Sequence, residues 1–317
     1  MKTANKVGAG VVRGAVPGAL AMFLVGSSVA VNSLLRDVPL FAGQAGRYAL
    51  AAAVLCGFAK LCGQRLVVPR GAEWLWVLLG ALSGLVLFNV ALLAGTAHAD
   101  PAVLGAAVAC VPILLAIVGP VLKRQPPRRR VVLAAVVVSA GAVIVNGGGR
   151  SDVVGILLAV SMLVGEAGFT LLGTPALPRM GAWSYSLATA VVATVAFGLL
   201  ALVTEGGRLG ELATAEHLAA VAYLGVVATA VAFVLWFTSV ERIGAGVAGL
   251  MSGIAAPAAA LLGAALGRPM PGLGAWIGMV IIGLGLAVGF VDRPGRRRVE
   301  PDPRDENESD STVLIAR

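Results

Sequence analysis

Ten apolar stretches, each about 20 residues long, succeed one another along the chain with only short polar breaks between them. They run near 15 to 35, 39 to 59, 73 to 95, 101 to 122 and 130 to 147, then 153 to 173, 182 to 203, 217 to 239, 243 to 267 and 272 to 291. A helix of that length spans a hydrocarbon core of about 30 Å, so the pattern predicts ten transmembrane helices in an all-α integral membrane protein. The tightest links are expected at 36 to 38 and 240 to 243. Residues 1–14 form a polar lead-in, and 292–317, rich in Arg, Glu, Asp and Pro, predict a disordered tail. The run from Ala15 to Leu35 exceeds a signal-peptide core of about 7 to 15 residues. Ser28-Val29-Ala30 therefore belongs to the first helix rather than to a cleavage site.

The stretches fall into two sets of five. Shifted by 145 positions, Leu79 to Pro112 aligns without gaps on Leu224 to Pro257, with Leu79/Leu224, Gly80/Gly225, Val86/Val231, Phe88/Phe233 and Pro112/Pro257 identical. Pro126/Pro271 keeps that register; shifted by 139, Leu24-Val25-Gly26 matches Leu163-Val164-Gly165 and Pro39 matches Pro178. Ordered matches of this kind mark a duplication. Because the unit has an odd number of spans, its second copy must enter the membrane from the other side. The expected architecture is thus two inverted five-helix repeats, 15–147 and 153–291, an arrangement that secondary transporters use.

Composition agrees: 58% of residues are hydrophobic and 13% charged, against roughly 45 to 50% and about 25% in soluble domains. The net charge of +8 does not indicate nucleic acid, because the basic residues sit in short clusters between apolar runs. Alternate loops carry 19 and 4 of the Lys and Arg residues, with Arg47 inside a span. The positive-inside rule then places both termini in the cytoplasm. Cys56, Cys62 and Cys110 have neither CxxC spacing nor histidine partners, so no disulfide framework or metal site is indicated.

With Gly26-Ser27 in the first helix, Pro39 to Arg47 opening the second, Ala97 to Val103 entering the fourth, Pro112 and Pro257 in the fourth and ninth, and Gly278, Gly283 and Gly285 in the last, the chain resembles the EamA-type ten-helix members of the drug/metabolite transporter superfamily. The resemblance covers nearly all of residues 15 to 291. It departs at Val25, where the family commonly has Trp, and at Lys123-Arg124 and Arg268, where it often has Glu. It implies a secondary transporter of the cytoplasmic membrane that moves a small metabolite or drug-like solute by alternating access, as an exporter rather than an importer. It also implies that the first and sixth helices line a central cavity.

The residues offer few other chemistries. There is no P-loop lysine motif, so ATP hydrolysis is not expected, nor a Gly-x-Ser-x-Gly elbow or HExxH. His98-Ala99-Asp100 reads either as a proton relay or as interfacial polar residues capping helix ends. Glu166, near the middle of the sixth helix, would cost on the order of 3 kcal/mol ionised in lipid unless paired, protonated or facing water. It is the leading candidate for binding a cationic group or a coupling proton, with Ser27 at the equivalent depth of the first helix. Arg47 reads as a substrate contact or as structural; a salt bridge with Glu166 would make both structural. Asn89 and Trp236 are candidates for polar and stacking contacts. Pro112 and Pro257 interrupt two matched helices, where proline removes a backbone hydrogen bond and where transporter sites lie.

The expected partners are a small solute, membrane lipid, protons as coupling ion and a second copy of the chain in a homodimer, with no nucleic acid and no cofactor. The rival classes are a membrane-embedded enzyme and a scaffold, regulator or lipid-handling protein without solute transport. Scarce His, Asp and Glu and short loops argue against the enzyme.

Overall fold

A computed structural model describes residues 2–32, 35, 39–205 and 214–290, without the side chains of 2–12 and 30. The expected tail and several topogenic arginines, Arg36 and Arg208 among them, lie outside the described residues. The described part holds ten helices: α1 Lys2–Asn32, α2 Leu40–Leu61, α3 Glu73–Gly95, α4 Pro101–Leu122, α5 Arg129–Asn146, α6 Val153–Gly173, α7 Leu177–Thr204, α8 Ala215–Ile243, α9 Ala245–Ala265 and α10 Leu273–Phe290. Eight, α3 to α10, are long and apolar enough to cross a membrane. In α1 the apolar part is the shorter Arg13–Val29; in α2, Gln44, Arg47 and Tyr48 dilute an otherwise apolar 22 residues.

The helix ends follow local chemistry. Asp152 caps α6 by accepting from the Gly155 N–H at 2.7 Å, Thr214 caps α8 through the His217 N–H, and Pro101 opens α4 where no N–H is missed. The first N–H groups of α2 are capped from a distance: Phe41 and Ala42 donate to the Glu205 carboxylate, just past α7, at 3.0 and 2.9 Å. The tight link expected at 240 to 243 falls instead on Gly244. There the backbone takes φ 77°, a left-handed conformation that glycine tolerates, so α8 runs four residues further, to Ile243, and α9 starts at once.

Exchange of the halves maps many of the helix contacts onto one another. α3 packs on α6 and α8 packs on α1; α4 packs on α6 and α9 on α1; α2 meets its own counterpart α7, and α5 meets α10. The α5–α10 seam is built from small residues, as membrane helices require for close approach. A Cβ on Gly141 would lie 2.7 Å from the Gly278 carbonyl oxygen, and one on Gly285 would lie 2.7 Å from Val138 Cγ2.

The fold also repeats its irregularities. A π-helical turn interrupts α3 at Leu82–Leu87 and α8 at Val226–Val231, equivalent under the 145-residue shift to within one residue. α4 breaks between Pro101–Val108 and Val111–Leu122, and α9 winds as a 3-10 helix over Gly249–Ile254. Pro112 and Pro257 follow those two interruptions directly.

On the face opposite the N-terminus, His98 Nδ1 lies 2.8 Å from Asp152 Oδ2, and Asp100 accepts from the Arg150 N–H at 2.7 Å. The histidine and both aspartates thus pin the α3–α4 corner to the α5–α6 link. The Gly155 amide and His98 hold the Asp152 carboxyl below its ordinary range. A depressed carboxylate contributes stability that is present above its unfolded value, about 3.9, and lost as pH falls through its folded value. Asp152→Ala is expected to lower the melting temperature in detergent at neutral pH. The difference from wild type should close below about pH 4; a gap unchanged there would mean that the cap does not depend on charge.

Candidate functional site

A linked set of polar residues lies inside the bundle where α2, α3, α6 and α8 meet. Gln44, Arg47 and Tyr48 lie one helical turn apart on α2, with Gln44 and Tyr48 buried. Gln44 Nε2 donates to Asn89 Oδ1 at 3.1 Å, and Asn89 Nδ2 donates to the Leu85 carbonyl at 2.7 Å, a group within the α3 π-turn. The Tyr48 hydroxyl sits beside Asn89 and feels the charges of both Arg47 and Glu166. Its ring stacks on Phe197 of α7 at 5.6 Å.

Glu166 stands on the bundle-facing side of α6, with Met162, Phe169 and Thr170 one turn away and all buried. It is itself half-buried. No hydrogen bond or ion pair joins it to any described residue, and none links it to Arg47. The close approach of its neighbour Gly165 brings this stretch against α3: a Cβ there would lie 2.6 Å from the Ser83 carbonyl oxygen. Gln44 Oε1, also buried, accepts no hydrogen bond from the described protein.

Arg47 turns the other way. Its Nε donates to Thr229 Oγ1 at 2.7 Å, and the same hydroxyl donates to the Leu224 carbonyl at 2.8 Å. Thr229 belongs to the α8 π-turn, so the arginine is anchored to a segment whose backbone bonding is already irregular. Ser27 is buried between α1 and α8, where its hydroxyl pairs with the Tyr223 hydroxyl at 2.5 Å. Trp236 is buried and donates from Nε1 to Thr170 Oγ1 at 3.0 Å. The aromatic cluster beside it, Phe169, Phe233, Phe237 and Tyr185, has ring centroids 4.7 to 5.1 Å apart.

The structure therefore gathers Asn89, Arg47 and Glu166 around Tyr48, and places Ser27 in a contact to α8 and Trp236, on α8, in a contact to α6. Gln44, Tyr48, Thr170, Tyr223 and Thr229 escape the sequence reading. The first two could have been found from their i, i+3, i+4 spacing with Arg47, which puts three polar groups on one face of a membrane helix. The hydroxyls inside the Ala/Val runs carry no such signal.

The profile of the EamA-like transporter family matches residues 12–147 and 153–290, one match for each half. The chain belongs to this family. A relative named as an uncharacterized transporter, YetK of Bacillus subtilis (strain 168), is 25% identical over 252 residues, covering 77% of this chain and 76% of its own. A solved crystal structure covers 87% of this chain and 97% of its own at 22% identity with a TM-score of 0.76, a likeness of fold. EamA membership makes the protein a multi-pass membrane transporter and not an enzyme, with a small molecule as its substrate and lipid around it.

Proposed function

We propose that this EamA protein is a secondary transporter of the cytoplasmic membrane that exports a small solute by alternating access, with Glu166 as the group that binds a cationic moiety or a coupling proton. The observation that carries this reading is the Glu166 carboxylate, on the bundle-facing side of α6 and without a hydrogen-bond or ion-pair partner among the described residues. A carboxylate so placed is costly ionised, and a proton or a cationic ligand relieves that cost. Ser27, Arg47, Asn89 and Trp236 shape the surrounding wall, and the interruptions before Pro112 and Pro257 give the two halves room to move. A thermal-shift screen of purified protein against amino acids, sugars, nucleosides and cationic drugs is expected to single out solutes bearing a positive group. Stabilisation confined to anions would overturn this role for Glu166.

The basic clusters support an orientation with both termini in the cytoplasm. A reporter inserted at residue 126, in the Lys123 to Arg130 loop, should give a cytoplasmic signal. A periplasmic signal there would reverse the orientation and with it the direction of export.

A further inference from the structure

At the face where α1 begins, α4 gives way to α5 through a strongly cationic corner that contains Lys123, Arg124, Arg128, Arg129 and Arg130. Arg130 is committed, because its Nε donates to the Val288 carbonyl of α10 at 2.7 Å. The side chains of the other four make no hydrogen bond or ion pair with any described residue. No Asp or Glu occurs from 101 to 151, so α4 and α5 supply no counter-ion. The described acids of the same face are already engaged, Glu73 by Arg179 and Glu241 by the Ala182 N–H.

Beside these cations the outer surface of the bundle opens into a groove of about 410 Å³, lined by Ile117 of α4, by Pro127, and by Arg129, Val132 and Leu133 of α5. Ile117 and Leu133 are 40% and 63% exposed. The groove therefore faces hydrocarbon along most of its length and ends on a guanidinium one helical turn nearer the surface.

Orientation alone asks only that a loop be basic, and it does not explain how this corner is built. α9 closes on Gly267 at φ 88°, with the Arg268 N–H reaching the Gly263 carbonyl at 3.0 Å; α4 closes in the same way on Arg124 at φ 54°, with the Gln125 N–H reaching the Pro120 carbonyl at 2.9 Å. A left-handed residue at a helix end is ordinarily glycine. Here α4 holds a cation where glycine would be relaxed.

We propose that this corner binds one anionic phospholipid, its phosphate held by Arg129 with Lys123, Arg124 and Arg128, and one acyl chain lying in the groove over Ile117, Val132 and Leu133. Guanidinium groups match phosphate oxygens in geometry, and basic pockets between membrane helices on the cytoplasmic side take anionic head groups. Under the orientation proposed above the lipid belongs to the cytoplasmic leaflet, where it braces α4 against α5. The acidic stretch at 300–310 has the complementary charge but no apolar run to fill the groove. A phospholipid has both.

Native mass spectrometry of the full chain, released from neutral detergent with equal amounts of phosphatidylglycerol and phosphatidylcholine, tests the site. Wild type is expected to retain phosphatidylglycerol preferentially, and Arg128→Gln with Arg129→Gln to weaken that retention by about fivefold or more, the effect of losing a single basic contact. Lys60→Gln with Arg65→Gln removes the same charge from the same face away from the groove, and should retain lipid as wild type does. Equal losses in the two double variants, or no loss in the first, would overturn the site. Val132→Trp fills the groove and keeps every charge; unchanged retention there would overturn the seated acyl chain.

Thermal unfolding separates the sources of the anion. Phosphatidylglycerol should raise the melting temperature and inorganic phosphate should not; an equal rise from phosphate would replace the lipid by a free anion. With the six carboxylates between 300 and 310 turned to amides, the full chain should respond as wild type. A response found only in that variant would give the corner to the chain's own acidic stretch. None of these readouts needs a transported solute, so failure of the transport reading leaves the lipid site standing.

Discussion

Glu166→Gln is expected to abolish coupled transport, by at least tenfold in initial rate, while the protein expresses and melts as well as wild type. Glutamine keeps the side chain's shape and removes both the charge and the titration. Because no described residue bonds to the carboxylate, its loss strands no partner. Replacing an ionised carboxylate inside a membrane by a neutral amide relieves on the order of 3 kcal/mol of desolvation cost, so the melting temperature should hold or rise. Tyr48 on α2 feels the charges of both Arg47 and Glu166, and Arg47 and Tyr48 both remain in the variant. Any pH dependence that disappears with Glu166 therefore belongs to Glu166. Flux in proteoliposomes under an imposed pH gradient, paired with thermal unfolding, separates the two effects. A variant that transports at the wild-type rate with unchanged pH dependence would leave Glu166 as an interhelical packing residue.

A second large effect is expected at Gly26, which holds α1 against α9. A Cβ there would run into the Ala255 carbonyl oxygen and come within 2.7 Å of Ala258 Cβ. The first obstacle is backbone and cannot rotate aside, so Gly26→Val must push α9 away from α1. Overpacking of this kind costs about 1 to 3 kcal/mol, and the backbone clash sets the expectation at the upper end. Gly57→Ala is the control: a Cβ on Gly57 meets nothing within 4 Å, and replacing a mid-helix glycine by alanine gains about 0.5 to 1 kcal/mol. Thermal unfolding in one detergent should move the two variants in opposite directions. Equal stability would mean that α1 and α9 are not held this closely.

Most of the fold was legible because the membrane forces apolar length into the sequence. The ten apolar runs lie where the ten helices lie, and the gapless 145-residue shift foretold the correspondence of α3–α4 with α8–α9. The misplaced link had a local cause: Gly244 takes a positive φ, and the hydropathy of 240 to 243 says nothing about backbone handedness. The candidate site was less legible. Glu166, Arg47 and Asn89 announced themselves as polar groups in apolar runs. Thr229 did not, because a hydroxyl costs little in a helix that can satisfy it from its own carbonyls, and neither did Tyr223, whose hydroxyl is matched by Ser27 on another helix. That Arg47 bonds to Thr229 and not to Glu166 depends on the rotation of α8 past its π-turn, and hydropathy does not encode that.

The two π-turns also bear on how the chain came to be doubled. Each winds one residue more than the α-helix it interrupts, and a surplus residue rotates everything beyond it by about 100°. Two independent insertions would have no reason to land within one residue of each other in α3 and α8. The surplus residue is therefore older than the duplication, already present in a five-helix ancestor, and the two copies have kept it in step since. What was inherited as a pair must be altered as a pair: deleting one residue from the α3 turn alone would swing Asn89 away from Gln44 while α8 kept its ancestral phase, and the halves would no longer be copies of one another where they meet.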